Sequence, residues 1–273
     1  MRRLTPLLLV VAIALSGCTS GSSDPEPTTD ATTAGDSAVT LASLALDWPT
    51  AQGRLVVPKV PAAPSGFVDS TVDRMADVLK KWARLSTVDD GMWHSGDPLS
   101  EVRTVLPDGT AGTYEEQLRG VVSPHLAVAN VFGDDVTVVG TPMITAAWRV
   151  STEKDQADKA FVRLELQTRA AYEVRIGDGP SRVIGVLRVH SLSAYKDTTD
   201  DFGIGGGWQE FGASDCALAL DDALVPDSDR ADALKDLKTF IRVGSGSTVE
   251  MPELPAQDRV DPDYLKRCRD GQA

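Results

Sequence analysis

Histidine, cysteine and aromatic residues are scarce in this 273-residue chain: three His, three Cys, and 5% Phe, Trp and Tyr together. Each scarcity excludes something. His94, His125 and His190 share no metal-ligand spacing, and there is no Cys-x-x-Cys, so neither a structural zinc site nor a thioredoxin-like redox motif is written here. No Gly-x-Ser-x-Gly elbow occurs. Positive charge is also short, with 27 Lys and Arg against 40 Asp and Glu, a net charge of −13. A protein that neutralises phosphates needs a basic face, so nucleic acid is excluded as a partner. Long apolar runs are missing too. The N-terminal run Leu7–Leu15 has nine residues, whereas crossing a membrane takes about 20.

Other fragments that resemble sites fail on inspection. Asp200–Trp208 contains Gly203, Gly205, Gly206 and Gly207, but Trp208 stands where a phosphate loop needs glycine, and two aspartates precede it. It reads as a hairpin loop or a lid. Ser151-x-x-Lys154 and Ser193-x-x-Lys196 both match a cheap pattern and lack its companion motifs. Asp227-x-Asp229 begins like a calcium loop, but Ala231 takes the next ligand position. No cofactor and no metal are implied.

The N-terminus is more informative. Arg2 and Arg3 precede the apolar run, and Leu15-Ser16-Gly17-Cys18 closes it. Charge, short apolar core and small residues describe a targeting segment. This stretch resembles the lipobox of bacterial lipoproteins. The resemblance implies that residues 1–17 are a signal peptide and that Cys18 carries a diacylglyceryl group. The competing reading is a buried or unpaired thiol behind an uncleaved segment. More than one acyl chain gives a stable hold on a bilayer. The expected location is therefore the outer, extracytoplasmic face of the cell membrane. Thr19 to Ser37 has no aromatic, branched aliphatic or basic residue. Such a segment buries too little to offset its ordering entropy, so 18–38 reads as a tether of about 25 Å root-mean-square span. Removing residues 1–17 takes away two arginines and leaves a charge of −15. If Cys18 is acylated, Cys216 and Cys268 remain, and an oxidising compartment makes a disulfide the default over two free thiols.

Beyond the tether, residues 39–66 look irregular, with Arg54 to Val60 as a candidate edge strand. Val68, Val72, Met75, Leu79 and Trp82 fall on one face of a helix spanning about 68–85. Ser70-x-x-Asp73 is a candidate capping box, with Ser65 as the competing cap. Residues 86–113 read as loop, and Tyr114 to Val122 as a second, shorter helix. Alternation predicts strands over 144–150, 162–176, 183–195 and 208–213. Fifteen residues of period two make a strand of about 50 Å, which must bend to cover a compact core. One polar parity predicts a half-covered sheet, and His190 falls on the less apolar parity, as a surface or sheet-face residue. A late helix is expected over 229–243.

This is an α+β pattern: an amphipathic helix packed on a curved, mainly antiparallel sheet of long strands over 67–215, then a C-terminal extension, 216–273. The order resembles the NTF2-like cone, in which helices lie in the hollow of a curved sheet. That superfamily includes isomerases, dehydratases and non-catalytic binding domains, so it selects no function. Met75, Leu79, Trp82, Trp148, Leu166 and Tyr172 are the candidate walls of an interior cavity, or simply fill a core. The expected role is a membrane-anchored, non-catalytic binding domain for an apolar small molecule or a cell-envelope protein. The alternative is an isomerase- or dehydratase-type enzyme, which needs a carboxyl group of raised pKa beside an oxyanion donor such as Tyr172.

Overall fold

A computed structural model describes residues 39–121, 123–198, 201–250 and 261–271. The signal segment, Cys18 and the tether lie outside these residues. The described residues belong to the compact unit Asp36–Ala273.

Every strand pairing in the sheet is antiparallel. The strands are β1 (Val136–Val138), β2 (Met143–Lys154), β3 (Ala160–Ile176), β4 (Arg182–Tyr195) and β5 (Gly203–Phe211). The order is β1-β3-β4-β5, with β2 beside β1 on the same flank of β3. The sheet is curved and unclosed. The 17-residue β3 and 14-residue β4 form the expected long hairpin. β5 departs from expectation. It begins five residues early, so Gly203 to Gly207 is paired strand and not a lid. Glycine is needed there for close approach, since a Cβ on Gly206 would sit 2.5 Å from the Val189 carbonyl oxygen.

Among the described residues, eight α-helices flank the sheet: α1 (Leu41–Leu44), α2 (Asp69–Val88), α3 (Pro98–Arg103), α4 (Asp108–Leu118), α5 (Pro124–Val128), α6 (Asp215–Asp221), α7 (Arg230–Ile241) and α8 (Pro262–Arg269). α2 is the predicted amphipathic helix, burying Val72, Met75, Leu79 and Trp82 in the hollow of the sheet. Neither proposed cap is used. Val68 is the N-cap and makes no side-chain bond, while Asp69 instead accepts the Ala63 N–H at 3.0 Å. Residues 86–113 are not loop, because α3 and part of α4 lie there. Their signals are local: Asp97 caps α3 by accepting the Ser100 N–H at 3.1 Å, with Pro98 behind it. The 54–60 segment forms no strand. It runs beside β2, where Trp148 Nε1 donates to the Pro58 carbonyl at 3.0 Å.

Both faces of the sheet carry apolar residues. The inner face joins α2 in the main core. On the outer face a second cluster covers one end, where Ala171, Val183 and Leu187 meet Val39, Trp48, Leu237 and Phe240. Gly185 admits the Phe240 ring, which would lie 2.5 Å from a Cβ at that position. The predicted half-covered sheet is thus covered fully inside and at one end outside. Cys216 and Cys268 are bonded, joining α6 to α8.

Two substitutions in β5 separate close approach from simple loss of glycine. Gly206→Ala is expected to lower unfolding free energy by about 2 kcal/mol in urea titration, through overpacking against the Val189 carbonyl. Gly205→Ala, whose Cβ would lie 4.0 Å from its nearest neighbour, is expected to stay within about 0.5 kcal/mol of the parent.

Candidate functional site

None of the six candidate cavity residues lines a cleft described below. Met75, Leu79, Leu166 and Tyr172 are fully buried, Trp82 nearly so, and all five pack in one core. Trp148 is only partly buried at the margin of that core. The interior is filled by side chains, and a set of polar ones among them is joined by hydrogen bonds.

That buried network starts from β4. Arg188 and His190 share the inner parity with Ile184, Val186 and Leu192, the register pairing Arg188 with Thr168 and His190 with Leu166. Arg188 donates from Nη2 to the Leu126 carbonyl at 2.7 Å and from Nη1 to the Ala127 carbonyl at 3.1 Å. Nε and Nη2 also reach Asn130 Oδ1, at 3.1 and 3.0 Å. Asn130 passes the chain on, donating from Nδ2 to the Tyr172 hydroxyl at 2.8 Å, and Tyr172 donates to the Thr87 carbonyl at 2.5 Å. The Asn130 N–H meanwhile bonds the Ser86 carbonyl at 2.9 Å. Tyr114 donates to the Ala127 carbonyl at 3.0 Å. Five elements, α2, α4, α5, β3 and β4, are tied by these bonds.

Electrostatics follow from burial. Desolvation brings the Arg188 guanidinium down to about 10, against an opposing pull from Tyr114 and Tyr172. It remains a cation at neutral pH. Burial pushes the Tyr114 phenol up to about 12 and raises Tyr172 further. Burial also drives the His190 imidazole well below its usual value, and the Arg188 charge adds to this. His190 is therefore neutral. Its Nε2 lies 2.7 Å from Ser86 Oγ, and its ring stands edge-on to Trp82 at 4.7 Å between centroids. His190, expected at the surface or on a sheet face, stands on the inner sheet face and is wholly buried. A serine within bonding distance of a histidine is nucleophile-and-base geometry. Here both residues are inaccessible and their surroundings are packed, so the pair acts as a core hydrogen bond. Sequence reading missed Arg188, Asn130 and Ser86. The available signal was two polar residues on an apolar parity, between Val186 and Leu192.

A surface cleft of about 380 Å³ lies outside the network. His94, His125, Asp134, Asp135, Asp221 and Asp222 line it. Asp222 serves the fold. Its carboxylate accepts the His125 and Leu126 N–H groups at 2.6 and 3.0 Å, capping α5. Burial raises its carboxyl above the usual range, opposed by those two amides. Among the described residues no group of three or more His, Cys, Asp or Glu is placed to hold a metal ion.

No family model, curated protein or solved structure matches the chain.

Buried His190 makes stability pH-dependent in a determined direction. Its folded pKa is depressed, so below about pH 6.5 the unfolded chain binds a proton that the folded chain refuses. Stability from this group is present above the unfolded pKa and is lost as pH falls below it. Urea midpoints compared at pH 7.5 and 5.0 are expected to show a loss of about 2 kcal/mol from this residue, absent in His190→Gln. Removing the Arg188 side chain, as Arg188→Met, is expected to cost about 3 kcal/mol or more by leaving the Leu126, Ala127 and Asn130 acceptors buried without their donor.

Proposed function

We propose that this chain is a lipid-anchored extracytoplasmic protein whose folded domain is a non-catalytic interaction module, held off the membrane by the 18–38 tether. The observation that carries this reading is the allocation of the three cysteines. Cys216 and Cys268 bond to each other, and Cys18 remains at the end of a short apolar run behind two arginines. A disulfide suits an oxidising compartment, and a lone thiol in a lipobox-like context suits acylation. The proposal keeps the NTF2-like cone as the domain's architecture, with α2 packed in the hollow of the curved antiparallel sheet. The filled hollow directs partner recognition to the outside of the domain. Carriage of an apolar small molecule inside the sheet is the less favoured form of the proposal, because the residues meant to wall the pocket pack against each other. The isomerase-type alternative requires a carboxyl group beside Tyr172, and its hydroxyl is instead held by the Asn130 amide and the Thr87 carbonyl.

Metabolic labelling with an alkyne fatty acid tests the anchor. The full-length chain is expected to take the label and fractionate with membranes, and Cys18→Ala to lose both. A label retained by Cys18→Ala refutes acylation at that residue. Thiol titration is a second check. Denatured protein taken from membranes is expected to show no free thiol before reduction and two after, since a thioether at Cys18 is not reducible.

A further inference from the structure

Among the described residues the outer sheet face is covered at one end, and the other end carries an ordered set of polar side chains. Register places them in rungs across the strands. Arg149 on β2 stands opposite Glu165 on β3, Glu165 opposite Ser191 on β4, and Ser191 opposite Gly205 on β5. The adjacent rung runs Ser151, Arg163, Ser193, Gly203. Both rungs end in a serine on β4 and a glycine on β5, and the face there forms a trough of about 270 Å³ whose lining includes Arg149, Arg163, Glu165, Gln167 and Ser191. One end is closed by Val249, whose N–H and C=O are both held by the Gln167 amide, at 2.8 and 2.9 Å.

We propose that this trough binds a short neutral saccharide. The inference deepens the reading above by naming the class of envelope partner. Charge decides the class. Arg149 and Arg163 oppose a cation, while Glu165, Glu153 and the chain's net charge of −13 oppose an anion. The polar lining offers little to an apolar ligand. What remains complementary is a molecule carrying donors and acceptors on every edge. Guanidinium groups supply only donors, carboxylates only acceptors, and Ser191 supplies either. Arg149 and Glu165 face each other across the strand pair, yet among the described residues neither makes an ion pair or a side-chain hydrogen bond. Their hydrogen-bonding capacity is open to a ligand. The groups stand on paired strands, so they are pre-positioned and lose little freedom on binding. Gly206 and Gly207 line the trough without a side chain to fill it, and Gly205 lies beside them, opposite Ser191. Gly205 has room for one, its nearest would-be neighbour being Ser191 Cβ at 4.0 Å.

The test is calorimetric titration of the full-length protein, in a detergent without a sugar headgroup, with chitotetraose, cellotetraose, mannotetraose and maltotetraose. Binding of at least one is expected, at an affinity that changes less than roughly twofold between about 50 and 500 mM salt. Glu165→Ala and Gly205→Phe are each expected to weaken it by roughly tenfold or more, with urea midpoints unchanged. No heat from any of the four at about 10 mM overturns the proposal, as does binding that collapses with salt or survives both variants. Acylation at Cys18 is read independently by the fatty-acid label, so failure of the saccharide site and failure of the anchor are separately visible.

Discussion

A charged guanidinium without a carboxylate partner sits at the centre of this fold, and much of the arrangement follows from keeping it satisfied. Burying a cation costs several kcal/mol unless acceptors surround it. Arg188 finds them at the C-terminal end of α5, where the Leu126 and Ala127 carbonyls carry the negative end of the helix dipole. A five-residue helix is too short to persist by itself. α5 holds because it is gripped at both ends, by the Asp222 carboxylate on the first N–H groups and by Arg188 on the last carbonyls. Each end receives the charge its dipole favours. Asn130, just beyond α5, then links the same guanidinium to Tyr172 and to the end of α2.

The same device recurs on the other side of the sheet. Arg169 on β3 points outward, one register step from Arg188, which points inward. It donates to the Val243 and Gly244 carbonyls just past α7 and stacks on Trp48, with ring and guanidinium 4.9 Å apart. Burial lowers its pKa as well. Two neighbouring strands thus each present an arginine to a helix end, one per face. The core is consequently specified by directional bonds as well as by apolar packing, with polar groups occupying part of the interior under the curved sheet.

Periodicity recovered the elements whose burial is regular. α2, the β3–β4 hairpin and α7 appear at nearly their expected bounds because their apolar residues repeat at helical or strand spacing. It missed α3, α5, α6 and α8, which have five to eight residues and are fixed by Asp97, by Asp222 with Arg188, by Ser214, and by the Cys216–Cys268 bond with Asp261. Such constraints lie in caps and long-range contacts, where no period exists. Parity was misjudged at His190 because outward residues on β4 such as Leu187 are apolar too, under α7. Two apolar faces blur the contrast from which inside and outside are read. The glycine run of β5 was taken for a loop because glycine is a poor strand former. Within the run, Gly206 is required by its close approach to the Val189 backbone.

Sealing the interior and covering one end of the outer face have a joint consequence for where recognition is possible. The candidate pocket residues are spent on stability, and Ser86 and His190 on each other. Polar side chains aligned by strand register and left without internal partners occur together at the uncovered end of the outer face. Arg149 and Glu165 illustrate the distinction against Arg163, which spends its charge on Glu153 at 3.0 Å. An exposed ion pair of that kind contributes little to stability, so its worth in the trough lies in fixing a guanidinium edge beside the unpaired groups. The domain's rigidity is therefore built from its buried arginines, and the proposed saccharide site from surface charges that the described residues leave unused.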